Sequence, residues 1–212
     1  MLQIHYNLLG DGDQPVRADR SGIRLRQTGG TPRTVSLDTM PLSAPVELPC
    51  APDESGPLCD RATAVSDVVQ RFGPATGRTA DRLLRMCGYE APNPGSTQTC
   101  DVPAPGRVTV HAARGHMHLL GRSIKVELNP GTPEAQTLLD VPEFNFDDQA
   151  LHILPEPVTL KAGDILRTTC THETGLRKRL PQLKDLPARY VVWGEGTADE
   201  MCAPLLTISA AN

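Results

Sequence analysis

The chain has 212 residues, a formal net charge of −4 and an apolar fraction of 39%. This length allows one large all-β domain or two small ones. The mild acidity gives no electrostatic footprint for nucleic acid, and no apolar run is long enough to span a bilayer. No basic-then-apolar signal segment opens the chain; it starts directly on a strand-like pattern, which predicts a domain-level piece whose natural start lies upstream.

Residues 2–7 and 21–27 read as strands, with Ile23 and Leu25 alternating against Arg24 and Arg26. A Gly/Asp-rich loop separates them. Repeated prolines between Thr31 and Pro49 confine that stretch to edge strands and loops. The block from Cys50 to Cys100 changes character. Asp60 is placed to cap a helix carrying Val65, Val68, Val69 and Phe72 at helical spacing, which Gly73-Pro74 ends. A second short helix is expected from Thr79 to about Gly88, with Leu83, Leu84 and Met86. This predicts a helical hairpin, about residues 50–100, inserted into a β domain.

The six cysteines form two local pairs by spacing, Cys50/Cys59 and Cys87/Cys100, and two distant residues, Cys170 and Cys202. The local pairs are expected to fasten the insert as disulfides. Without a Cys-x-x-Cys motif a zinc ribbon is disfavoured, and disulfides imply an oxidising compartment. From Arg107 the β pattern returns. Val108 and Val110 alternate with polar residues, as do Ile124, Val126 and Leu128. Strands are expected over 153–160, 165–172, 190–193 and 205–209, with a polar loop around Arg177–Lys184. Many short strands with Pro/Gly turns predict an antiparallel β-sandwich or jelly roll.

The motif that carries chemistry is His116-Met117-His118, followed at a distance by Glu200-Met201-Cys202. On a strand, residues two apart share a face, so His116 and His118 can aim both imidazoles at one point. Met201 can supply a thioether. Two imidazoles and a soft sulfur favour copper, Cu(I) above all, and three protein ligands leave a position for dioxygen. His111, His152 and His172 have no motif support and are read as surface or core residues. Trp193 is read as core. Glu195, Asp199 and Glu200 are read as holding loop geometry or facing water, because hard carboxylates are poor partners for Cu(I).

The stretch Gly115-His116-Met117-His118-Leu119-Leu120-Gly121-Arg122 resembles the His-x-His segment of the copper type II, ascorbate-dependent monooxygenases. Gly194–Cys202 resembles that family's methionine segment. Residues 2–7 with 19–25 resemble the junction between its two domains, and Ala162–Cys170 a strand before the methionine segment. The matches run in family order over most of the chain, apart from the block around 50–100. The resemblance implies a secreted or lumenal domain that binds one copper through His116, His118 and Met201 and hydroxylates a C–H bond of an organic substrate with dioxygen and an ascorbate-like reductant. It implies a Cys170–Cys202 disulfide. It also implies a second copper in an upstream domain, of whose ligands only His5 is present in this chain. Arg114 matches an arginine that clamps a substrate carboxylate in the peptide-processing branch. That branch's tyrosine is replaced here by Leu205, and its asparagine-like position by Ala203, which argues against a peptide-glycine substrate. The alternative is a non-catalytic copper-binding or interaction module that keeps the fold.

Overall fold

The structure is a computed structural model that describes residues 22–27, 29–31 and 34–211. Two compact units comprise residues 1–34 and 35–212. In the first unit, residues 22–27 form no strand, which corrects the expectation for 21–27. A strand needs a ladder partner, and none of these described residues pairs with one; Ile23 and Leu25 are exposed. The strand expected over 2–7, with His5, lies outside the described residues.

The second unit is an all-β antiparallel sandwich. Its strands are β1 (Asp38–Pro41), β2 (Glu47–Leu48), β3 (Thr97–Pro103), β4 (Val108–Arg114), β5 (Gly121–Leu128), β6 (Gln136–Val141), β7 (His152–Leu160), β8 (Ile165–His172), β9 (Val191–Val192) and β10 (Leu205–Ala210). One sheet has the order β1-β10-β4-β7 and the other β3-β8-β5-β6, with β2-β9 as a small separate ladder. Period-two burial explains the assembly. In β5, Ile124, Val126 and Leu128 are buried between half-exposed Lys125 and Glu127; in β8, Leu166, Thr168, Cys170 and His172 face inward. The apolar members of these faces share one core with Val110, Ala113, Leu160 and Leu206 of the other sheet. In β7 the pairing jumps from Val110↔Val158 to Ala112↔Ile153, so residues 154–157 drop out of the ladder. Pro155 and Pro157 lie there and have no N–H to give it.

The insert is a helical hairpin. Helix α1 (Arg61–Phe72) starts where the Asp60 carboxylate accepts from the Thr63 backbone N–H at 2.8 Å. It ends at Gly73, whose φ of 86° is easy only for glycine. Helix α2 spans Pro74–Met86, five residues earlier than the expected start at Thr79. Pro74 does more than end the first helix: proline suits the first helical position, where an N–H would have no partner. Phe72 and Met86, expected on the apolar face, are exposed instead. The Arg71 guanidinium covers the Phe72 ring at 4.7 Å. The hairpin closes tightly at Gly77, where an added Cβ would sit 2.1 Å from Val69 Cγ2. Gly77→Ala is therefore expected to destabilise the protein although alanine favours helix by about 1 kcal/mol. Overpacking a fixed β-branched neighbour costs more, about 1–3 kcal/mol. A urea midpoint equal to or above wild type would contradict this.

Three disulfides are formed: Cys50–Cys59, Cys87–Cys100 and Cys170–Cys202. The first fixes the 3-10 turn Pro57–Cys59 ahead of α1, and the second ties the end of α2 to β3. A buried ion pair adds a third tie, with Arg61 Nε and Nη2 donating to the two Glu47 oxygens at 2.7 and 2.6 Å. The expected polar loop at 177–184 contains the end of a single helical turn, α3 (Leu176–Arg179), in which Arg177 is buried and donates to Glu54 at 3.0 Å. No described helix is long and apolar enough to cross a membrane.

Candidate metal centre

Strand β4 carries the chain to Arg114 and stops, so His116 and His118 lie just beyond the ladder in residues 115–118. The expected strand support is replaced by specific local contacts. The Ala203 N–H donates to His116 O at 3.0 Å, joining this segment to the residues after Met201. Met117 between them is fully buried and His118 nearly so, while His116 is half-buried. Two flanking glycines permit this. A Cβ on Gly115 would lie 2.5 Å from Ile124 Cγ2, and one on Gly121 2.8 Å from Met117 Cβ.

The two imidazoles stand edge to face, 5.3 Å between centroids and 84° between planes. His116 Nδ1 meets Gln149 Oε1 at 2.7 Å, while Gln149 Nε2 donates to Phe146 O at 2.9 Å. The amide oxygen thus faces His116, and Nδ1 is the donor. His118 Nδ1 lies 3.2 Å from Asp199 O, which can only accept, so it too carries its proton on Nδ1. In both rings an oxygen acceptor at Nδ1 orients the imidazole, an arrangement also found where a second protein group orients a metal-binding histidine. Burial, and then the neighbouring His116, push the His118 imidazole down to about 4; the Asp199 and Gly196 carbonyls oppose them. His118 is accordingly neutral at physiological pH, as coordination requires. The Phe146 ring stands edge-on to His118 at 6.3 Å.

Met201 is partly buried and packs at the margin of the core. Glu200, fully buried, joins its segment to the histidines. Oε2 accepts from the backbone N–H of His118 at 2.9 Å and of Met201 at 3.0 Å, and Oε1 from that of Leu120 at 2.6 Å. Burial pushes the carboxyl up to about 8, against these amides and that of Gly121, which favour the ionised form. His172 Nε2 lies 3.7 Å from Glu200 Oε2, and burial holds that imidazole down to about 4. Asp199 is gripped from the insert: Arg71 donates to its two oxygens at 2.8 and 2.6 Å. Glu195 is exposed.

Of the expected site residues, the structure brings His116 and His118 together and runs the Met201 segment beside them. Arg114 is exposed at the end of β4, directly across the ladder from Leu205. His111 sits where the β4–β7 register shifts and meets Ser209 Oγ at 2.8 Å; His152 is exposed on β7. Gln149, Phe146 and Arg71 had no signal in the sequence. A cleft of 630 Å³ between Leu128–Gln136 and Pro155–Lys161 lies at the opposite strand ends and contains none of these residues.

Among the described residues no three His, Cys, Asp or Glu side chains gather so as to hold a metal. Two imidazoles held by oxygen acceptors at Nδ1 suit copper, and the thioether of Met201 is a candidate third ligand.

The model of the family described as copper type II ascorbate-dependent monooxygenase, C-terminal domain, matches residues 95–207. The chain is similar to "MOXD1 homolog 1" of Drosophila melanogaster, 26% identical over 207 residues. The match covers 98% of this chain but 24% of that protein, so the chain spans about a quarter of the relative's length. Among solved structures, dimeric latent PorU from Porphyromonas gingivalis is 10% identical, covering 54% of this chain and 10% of that one. The TM-score is 0.18.

Proposed function

We propose that this chain, which belongs to the copper type II ascorbate-dependent monooxygenase family through its C-terminal domain, binds one copper through His116, His118 and Met201. The observation that carries this reading is the pair of Nδ1–H imidazoles, each oriented by an oxygen acceptor, beside the segment bearing Met201. Copper bound there would supply dioxygen activation for hydroxylation of a C–H bond, with electrons from an ascorbate-like reductant. The protein's own part is to keep both rings fixed and the buried His118 neutral. Gln149 and the Asp199 carbonyl hold the Nδ1 protons, and Phe146 shields one side of His118. Arg114, two residues from His116, offers a guanidinium to an anionic group on the substrate. Leu205 opposite it offers an apolar contact where the peptide-processing enzymes have tyrosine. The three disulfides suit an extracellular or lumenal setting.

A second copper and complete turnover belong to an upstream domain in this reading, and His5 is this chain's contribution to that site. The isolated 212 residues are expected to bind copper but to show little coupled hydroxylation.

The test is Cu(I) titration of the purified chain with X-ray absorption, beside His116→Ala and Met201→Ala. One copper held by two nitrogens and one sulfur is expected in the wild type. Met201→Ala is expected to lose the sulfur, and His116→Ala to lose binding by about 10–100-fold or more. Copper that ignores both substitutions would overturn the proposal.

A further inference from the structure

We propose that Glu200 is a positioning residue that sets the methionine ligand against the two histidines. The inference rests on the copper reading above and adds a buried side chain that ties the ligand segments together beside the Ala203–His116 backbone bond. The His116–His118 and Met201 segments are more than 80 residues apart in sequence, and the chain between them cannot by itself fix one against the other. Glu200 spans the gap with one carboxyl group. Oε2 holds an N–H from each segment, His118 at 2.9 Å and Met201 at 3.0 Å. Oε1 holds Leu120 at 2.6 Å. Its side chain is wholly buried, so no water competes for these donors, and removing an acceptor would leave buried N–H groups unpaired.

The site is anchored on its far side too. The Gly194 N–H donates to Glu200 O at 3.1 Å, and Trp193 forms a parallel bridge with Glu200. The backbone of Glu200 is thereby tied to the segment leaving β9, while its side chain reaches the histidine turn. His172 closes the remaining side of the carboxyl, with its neutral ring 3.7 Å away. The hydrogen bonds of Glu200 go to backbone N–H groups, so it acts by placing the backbone.

Glu200→Gln separates this role from ordinary packing. The amide keeps the volume but offers one acceptor oxygen where the carboxyl offers two: an NH2 at the Oε1 position faces the Leu120 N–H, and one at the Oε2 position faces those of His118 and Met201, both segments at once. Amide hydrogen exchange on the metal-free chain is the first readout. Protection is expected to fall by about 10-fold at His118 and Met201 together where the NH2 replaces Oε2, or at Leu120 where it replaces Oε1, with the sheet amides of Ile124 and Val126 unchanged. Cu(I) titration with X-ray absorption is the second. The two nitrogens are expected to remain while the sulfur signal is lost or broadened, and affinity falls by about 10–100-fold.

Exchange and copper coordination indistinguishable from wild type would overturn the proposal. A wild-type chain that binds Cu(I) without sulfur would instead overturn the assignment of Met201, and the exchange data would still decide whether Glu200 joins the segments. If Glu200→Gln does not fold, Glu200→Asp carries the same test, since its carboxylate is one methylene shorter and draws back from the His118 and Leu120 N–H groups.

Discussion

Arg61→Ala is expected to lower stability by about 3 kcal/mol, the low end of what breaking a buried ion pair costs. Glu47 is fully buried at the start of the β2 ladder, and Arg61 answers both of its oxygens. Without the guanidinium, the carboxylate keeps the Tyr190 hydroxyl, which donates at 2.9 Å. That remaining bond is the reason for choosing the low end. The same pairing is visible in Tyr190, whose phenol is raised by burial first and by the Glu47 charge second. For a domain of this size the loss corresponds to a drop in thermal midpoint of about 6–12 °C. Because Arg61 is the first residue of α1, the effect should begin in the insert. A double variant, Arg61→Met with Glu47→Leu, is expected to recover most of the loss, since apolar replacements of a buried pair are often neutral or better. A midpoint unchanged in Arg61→Ala would mean that the pair does not anchor the insert.

Much of the architecture was legible because it follows from burial on one face. The alternations in β5 and β8 have period two, and a one-residue slip would turn every apolar side chain to water. The insert announced itself through Asp60, Gly73 and the valines of α1. Its second helix was misplaced because Pro74 serves equally as a terminator and as a first helical residue. Only the packing of Gly77 on Val69 shows which. Strand β3 was hidden because its inward residues, Gln98 and Cys100, are not the aliphatic type that an alternation search finds.

The site divides in the same way. His116, His118 and Met201 stand out as residue types in a pattern. Their supports do not, because those contacts are made by the tertiary fold: Gln149 lies 33 residues from His116, and Arg71 lies 128 from Asp199. For the three carboxylates near Met201, the sequence left loop geometry and solvent exposure both open. The structure separates them, burying Asp199 and Glu200 in specific bonds and leaving Glu195 in water. The grip of Arg71 on Asp199 also gives the insert a route to the centre, since the carbonyl of that same residue orients His118.

Removing the Cys170–Cys202 bridge with a double alanine variant is expected to cost about 4 kcal/mol, from the closure entropy of the loop that it spans. The two cysteines are 32 residues apart and both fully buried. Loop length alone would make the bridge only about 1 kcal/mol stronger than Cys50–Cys59, which spans 9 residues. Position makes the larger difference. Cys170 sits in the middle of the inner face of β8, and Cys202 directly follows Met201, so the bond pins the thioether segment to the most buried strand of its sheet. Opening Cys50–Cys59 loosens only the turn before α1. The two double variants should therefore differ in copper chemistry more than in urea midpoint. Loss of Cys170–Cys202 is expected to weaken the sulfur signal of bound Cu(I) while both nitrogens stay, because His116 and His118 keep Gln149 and the Asp199 carbonyl. Loss of Cys50–Cys59 should leave the signal intact. If sulfur coordination survives without Cys170–Cys202, the hydrogen bonds of Glu200 and of the backbone around Ala203 suffice to place Met201, and the disulfide serves stability only.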